Sequence, residues 1–139
     1  MENEKTLILL KPDALERALV GRILTRFEER RYKIAAMQLM HMTPDMAKVH
    51  YSHLADRDFF PEIRDYMCRG PLVALVLEGR DTVAVCRAML GVTDGAKAAP
   101  GTIRGDFTQS FRENLVHASD SPEAAAREIK FFFPEFVDK

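Results

Sequence analysis

The sequence predicts an α/β sandwich, with helices packed over an open sheet, and three features of its pattern predict it. Four short apolar runs have the length of strands, at residues 6–10, 33–42, 72–77 and around His117. Between and after them lie segments whose apolar residues recur at helical three- and four-residue steps. Glycine and proline mark the boundaries, at Pro12, Pro44, Pro61, Gly70-Pro71, Gly79, Gly91 and Pro122. The resulting order, β-α-β-α-α-β-α-loop-β-α, alternates strands with helices as that class requires. Pattern alone leaves the order of strands within the sheet open.

Taking the elements in turn, Thr6-Leu-Ile-Leu-Leu10 is a continuous apolar run, which suits a central strand buried on both faces. Lys11-Pro12-Asp13 stops it, and on pattern alone Lys11 reads as a solvated lysine at a turn. A helix follows, with Leu19, Ile23 and Phe27 at i+4 steps and Glu28-Glu-Arg-Arg31 at its polar end. Residues 33–42 read as a second strand in which His41 is partly exposed. Thr43-Pro44-Asp45 opens the next helix, Thr43 as N-cap and Pro44 in the first position, with His50, Tyr51, His53 and Leu54 along it. His50 and His53 share a helix face, but His50-Tyr-Ser-His53 is not H-E-x-x-H, and no carboxylate or cysteine completes a metal set.

Phe59-Phe60-Pro61 breaks the chain before a short helix through Met67. One ring of such a pair belongs in the core, and the other at a cleft mouth would make a stacking platform for a base. Residues 72–77 form the clearest strand, and residues 82–90 a helix. Arg87 lies deep in that helix, where its charge needs water or an anionic partner. From Gly91 to Asn114 there is no sustained periodicity, and a loop of this length in a compact domain is usually functional. It holds Lys97 and several glycines but misses the P-loop spacing G-x-x-x-x-G-K-[ST]. A short strand at His117 then runs into a helix over 122–132, capped by Asp120 or Ser121 with Pro122 in the first position. A helix start of this kind favours an anion nearby.

Length and composition bound the function. At 139 residues the chain reads as one domain, 1–139, large enough to bury ~70% of its unfolded surface. Hydrophobic content of 47% and charged content of 29% are ordinary for a globular protein. A net charge of −1 argues against non-specific binding to nucleic acid or membrane, so any polyanionic ligand needs locally concentrated positive charge. Cys68 and Cys86 form no disulfide framework and suit small buried thiols on helices. Met1-Glu-Asn-Glu-Lys leads straight into a strand, and no apolar run approaches ~18 residues. Neither signal peptide nor membrane span is expected, and the cytoplasm is the default location.

The run Asn114-Leu-Val-His117-Ala-Ser119-Asp120-Ser121 resembles the N-x-x-H-[G/A]-S-D-S signature of nucleoside diphosphate kinases. Ordered matches extend across nearly the whole chain. They include Lys11-Pro-Asp-Ala, Tyr51, Phe59-Phe60, Gly70-Pro71, Val76-Leu-Glu-Gly79, Thr93-Asp94, residues 98–107 and Ser121-Pro-Glu. The resemblance implies a ferredoxin-like βαββαβ core with a four-stranded antiparallel sheet. It implies transfer of the γ-phosphate of a nucleoside triphosphate such as ATP to a nucleoside diphosphate such as GDP, through a phosphohistidine and with ping-pong kinetics.

By the same resemblance His117 is the nucleophile, Glu128 orients its ring, and Ser119 supports that pair. Lys11 and Tyr51 serve the transferring group, and Arg87, Arg104 and Thr93 the phosphates. Lys11 and Asn114 reach the sugar, and Phe59 stacks on the base. Mg2+ arrives on the phosphates with no ligand required from protein, and the assembly is a homo-oligomer, tetramer or hexamer. Ala118, Gly95, Asp58 and the pair Arg112-Glu113 depart from common family residues, without removing a catalytic group. Two other readings are a nucleotide-binding regulatory module that has lost catalysis, and an interaction protein in which the histidine is incidental.

Overall fold

The computed structural model describes residues 3–136. Met1, Glu2 and the end of the tail expected from Pro134, residues 137–139, lie outside the described residues. Four strands, β1 (Glu4–Leu10), β2 (Lys33–His41), β3 (Pro71–Gly79) and β4 (Val116–Ala118), form one sheet in the order β2-β3-β1-β4. Each neighbouring pair is antiparallel, so the sheet has the ferredoxin-like arrangement.

β1 and β3 are the inner strands, and both read as unbroken apolar runs because both of their faces are covered. Alternation then sends successive residues to two separate cores. Ile8, Leu10, Leu75 and Leu77 face one side, where Ile23 and Phe27 of α2 (Val20–Glu29) pack with Cys86 and Leu90 of α5 (Thr82–Leu90). Leu7, Leu9, Leu72 and Ala74 face the other. There they meet Ala47 of α3 (Pro44–His50), Ile63 and Met67 of α4 (Phe60–Cys68) and Phe132 of α7 (Pro122–Phe132). Among the described residues no helix is long and apolar enough to cross a membrane.

Three local expectations are corrected. The proline that stops β1 also starts a helix, α1 (Pro12–Glu16), with Lys11 in the N-cap position and Pro12 at the first helical place. Five residues are too few to show a period, which is why the pattern misses it. The helix carrying His50 ends there, and His53 and Leu54 fall in a separate 3-10 turn (Ser52–Leu54). The aperiodic stretch before His117 contains a further short helix, α6 (Ile103–Phe107), whose N-cap Thr102 accepts the Gly105 N–H at 3.0 Å. Arg26 of α2 ties this helix down, donating to Asp106 at 2.6 Å and to the Gly101 carbonyl at 3.2 Å.

Other expectations stand. Thr43 caps α3, and Ser121 rather than Asp120 caps α7, accepting the Ala124 N–H at 3.0 Å. Phe60 is buried while Phe59 is exposed. Cys86 is buried and Cys68 partly so, both as free thiols.

Candidate functional site

β4 is only three residues long, and it is pinned to β1 with His117 opposite Leu9 and Val116 opposite Leu10. Its entry is strained: Leu115 has φ +73°, a left-handed conformation that costs a side-chain-bearing residue on the order of 1–3 kcal/mol. The fold holds it there by burying the Leu115 side chain completely and by giving its N–H to the Asp13 carboxylate at 3.2 Å. Asp13 itself is buried and accepts the Tyr66 hydroxyl at 2.5 Å, which raises the phenol far above its ordinary range, burial contributing most.

His117 and Glu128 are eleven residues apart, yet Nε2 and Glu128 Oε1 lie 2.9 Å from each other. The chain turns at Ser121, and α7 runs back along β1 so that its second turn passes the histidine. Ser119 completes the unit. Its hydroxyl is fully buried, accepts the Leu7 N–H at 3.2 Å and donates to the same Glu128 oxygen at 2.8 Å. Burial lowers the His117 pKa, outweighing the opposing pull of Glu128. Burial pushes Glu128 the other way, but the hydrogen bonds from His117 and Ser119 prevail and hold it below the usual carboxylate range. The resting pair is therefore a neutral imidazole and an ionised carboxylate. A carboxylate only accepts, so the ring proton sits on Nε2 and Nδ1 keeps its lone pair.

Positive charge is gathered behind and beside this pair. Lys11, only 8% exposed, donates to Asn114 Oδ1 at 2.8 Å, and its backbone N–H donates to Leu115 O. Burial, aided by the like charge of Arg104, lowers the lysine to about 7. The pattern-only reading of Lys11 as a solvated turn residue is thus corrected: antiparallel pairing folds β4 over it. Arg104 is 5% exposed and spends its donors on the carbonyls of Asn114, Gly91 and Val116, at 3.2, 2.9 and 2.6 Å. Burial and Arg87 together lower it to about 10. Arg87 reaches water at the end of α5 and donates to Ala118 O at 3.2 Å, just beyond His117. Asn114 also donates to Thr93 O and Phe111 O, stitching the two ends of the long loop together.

A cleft of about 860 Å3 opens over the histidine, lined by His50, Tyr51, Arg87, His117, Glu128 and Phe131 among others. Lys48 and Arg127 add charge at its walls. Of the residues expected from sequence, His117, Glu128, Tyr51 and Arg87 line this cleft. Lys11, Ser119, Arg104 and Asn114 stand buried around it. Thr93 and Phe59 are exposed and lie outside its lining. The Tyr51 phenol is raised, first by burial and then by Glu128, so it remains a donor at neutral pH.

His50 is the neighbour that sequence reasoning did not find. Its ring stands edge-on to His117 at 4.9 Å and packs against Phe132 at 5.4 Å. Burial, reinforced by His117, drives its pKa down to about 3, so it is an uncharged wall. Its spacing with His53 had drawn attention to a metal instead. Among the described residues no group of three or more His, Cys, Asp or Glu side chains stands close enough to hold an ion.

The family model described as nucleoside diphosphate kinase matches residues 4–137. A nucleoside diphosphate kinase of Nocardioides sp. is 55% identical over 130 residues, covering 94% of this chain and 96% of the relative. One from Thermoplasma volcanium is 50% identical over 132 residues, covering 95% and 90%. Among solved structures, a halophilic nucleoside diphosphate kinase from Halobacterium salinarum in complex with CDP superimposes with a TM-score of 0.94 at 38% identity, covering 99% of this chain and 93% of that one. The Aquifex aeolicus nucleoside diphosphate kinase gives 0.91 at 42% identity, covering 97% and 99%. A half-buried histidine–glutamate pair under a cationic cleft, on this sheet, is what such a family would need, and the chain belongs to the nucleoside diphosphate kinase family.

Proposed function

We propose that the chain transfers the γ-phosphate of a nucleoside triphosphate, typically ATP, to a nucleoside diphosphate by way of a phosphohistidine at His117, keeping NTP and dNTP pools in balance. The observation that carries this reading is the 2.9 Å contact between His117 Nε2 and Glu128, which leaves the unprotonated Nδ1 as the nucleophile. In the first half-reaction the Nδ1 lone pair forms a bond to the γ-phosphorus, and the bond to the β,γ-bridging oxygen breaks. The nucleoside diphosphate leaves with that electron pair. The imidazole becomes cationic, and Glu128, held by Ser119, stabilises the Nε2–H it already accepts. In the second half-reaction a terminal phosphate oxygen of another nucleoside diphosphate attacks the phosphorus and the N–P bond breaks.

The transition state is loose, so positioning and charge neutralisation supply most of the catalysis. Arg87, Arg104 and Thr93 hold phosphates in this reading, Tyr51 and Lys11 serve the transferring group, and Lys11 and Asn114 bind the sugar. Phe59 stacks on the base, a contact that tolerates any base because each has a π-face. The cleft walls offer guanidinium and ammonium groups, which fit the phosphates of a Mg2+–nucleotide rather than the ion itself. When bound, Mg2+ supplies charge neutralisation on the phosphate oxygens.

The proposal extends to residues 1–139 as one catalytic unit acting in a homo-oligomer, a tetramer or hexamer. Its support is the apolar surface that β2 leaves at the edge of the sheet, with Met37 at 52% and Leu39 at 67% exposure. Two free thiols suit a reducing compartment such as the cytoplasm. The presence of His117, Lys11, Arg87, Arg104 and Asn114 together speaks against an inactive regulatory module.

The test is incubation with γ-labelled ATP and Mg2+, for the native protein and for His117→Ala. Acid-labile label that is absent from the mutant and discharged by GDP is the expected result. A native protein that binds nucleotide without taking up label would overturn phosphotransfer, and label on the mutant would overturn the choice of nucleophile.

A further inference from the structure

Resting on the sugar contact read above for Lys11 and Asn114, we infer that Tyr66 is a positioning residue for the nucleotide: with Asp13 and Arg69 it clamps the turn that presents Asn114. The turn is a γ-turn. Val116 N–H donates to the Asn114 carbonyl at 2.8 Å across Leu115, whose φ is +73°. That form is rare and strained, so it persists only where the surroundings hold its central residue. Both polar groups of Leu115 are held by the segment that follows β1. Its carbonyl accepts the Lys11 N–H at 2.8 Å, and its own N–H donates to Asp13 Oδ2 at 3.2 Å.

Asp13 is in turn aimed by Tyr66. The aspartate is 1% exposed, and its other oxygen accepts the Tyr66 hydroxyl at 2.5 Å. A buried carboxylate engaged at both oxygens does not rotate, because turning leaves a buried donor or acceptor without a partner. Arg69, just past the end of α4, lies over the same tyrosine ring at 5.1 Å from its centroid. It grips Glu16 of α1 through two hydrogen bonds, at 2.9 and 2.7 Å, and reaches Glu113 at 2.9 Å. A bidentate guanidinium shared by two carboxylates is the kind of surface pairing that holds a geometry.

Glu113 and Leu115 are the two chain neighbours of Asn114. Asn114 is thus held from both sides by groups that meet on one tyrosine, while its Oδ1 accepts Lys11 Nζ at 2.8 Å. The Tyr66 hydroxyl is spent on Asp13, so its effect on a nucleotide passes through Asn114. Tyr66→Phe removes that hydroxyl and keeps the ring beneath Arg69. Asp13 then loses the donor that aims it, Leu115 loses a fixed acceptor, and Asn114 is no longer fixed against the sugar.

The experiment is titration calorimetry of GDP and of 2′,3′-dideoxy-GDP, which lacks the sugar hydroxyls. The proteins are the native chain, Tyr66→Phe, Arg69→Gln, Asn114→Ala and the double variant Tyr66→Phe/Asn114→Ala. The native protein is expected to bind GDP more tightly than the dideoxy ligand. Tyr66→Phe is expected to narrow that Kd ratio by about fivefold, the scale of one net hydrogen bond, with the dideoxy ligand unaffected. In the Asn114→Ala background Tyr66→Phe should change nothing further. An unchanged ratio in Tyr66→Phe, an equal loss for both ligands, or an undiminished loss in the double variant overturns the inference. Should Tyr66→Phe fail to fold, Arg69→Gln, a surface change, decides in its place: a ratio as wide as the native one overturns the clamp. A native protein that binds both ligands equally removes the sugar contact and this inference but leaves phosphotransfer standing. Failure of the native protein to bind either ligand sinks the nucleotide reading as well.

Discussion

At Glu128 one oxygen accepts from both His117 Nε2 and Ser119 Oγ, so a single carboxylate fixes the tautomer and is itself fixed from the β1 side. Glu128→Gln keeps the shape, loses the charge and can present an amide donor to the ring. In the proposed reaction this costs on the order of 10²-fold in kcat with little change in KM, by analogy with the misplacement of any reacting group. Steady-state kinetics in which kcat is unaffected would remove Glu128 from the mechanism. Lys11 makes a second prediction. Its folded pKa is depressed to about 7 against an ordinary 10.5, so its contribution to stability is present above about 10.5 and is lost as pH falls toward 7. A polyphosphate nearby reverses the cause by favouring the charged form. Nucleotide binding at pH 8 is therefore accompanied by proton uptake, measurable by calorimetry in buffers of different ionisation enthalpy, and the uptake disappears in Lys11→Met. Binding with no proton uptake in the native protein would show that the phosphates do not reach Lys11.

At the scale of an element, α6 decides whether Arg104 is in place. A Cβ added at Gly105 would stand 1.9 Å from the Ala99 carbonyl oxygen and 2.6 Å from its carbon, and both are backbone atoms that cannot swing away. Gly105→Ala must therefore shift the helix, in spite of alanine's better helix propensity. The expected loss is about 1–3 kcal/mol by urea denaturation, as for overpacked cores. Nucleotide binding weakens as well, because a shifted α6 carries the Arg104 guanidinium away from the three carbonyls that hold it. An unchanged denaturation midpoint would mean that the loop at Ala99 yields freely.

For the whole molecule the unfinished surface is β2. Its inward residues pack on the sheet, while Met37, Leu39 and His41 face outward on an edge strand, which is a template for association. Sedimentation should give a mass several times that of one chain, and Leu39→Glu should lower it while leaving the circular dichroism of the fold intact. A native protein that sediments as a monomer would remove the oligomer from the proposal. The sheet's two separate cores explain why the edge can change without the site: β1 and β3 bury their own residues on both faces.

The sequence by itself determined the α/β class, the helices over 82–90 and 122–132, and both inner strands. Each of these depends on a local period or on a continuous apolar run. It also determined the cap at Thr43 and narrowed that of α7 to Asp120 or Ser121, between which the structure chose Ser121. The signature around His117 was legible as a resemblance, and so were the partners that the resemblance carried with it. The two short helices were not legible, because α1 and α6 have five residues each and no period can show in five. Nor did any local pattern mark Lys11 as buried or His50 as a wall against His117. Those facts arise when β4 closes beside β1 and α7 runs back beneath it, bringing together groups as much as 112 residues apart. Periodicity reports which face of an element is apolar. Only the packing of elements decides which polar groups lose their water, and desolvation is what turns a lysine, two histidines and a glutamate into a site.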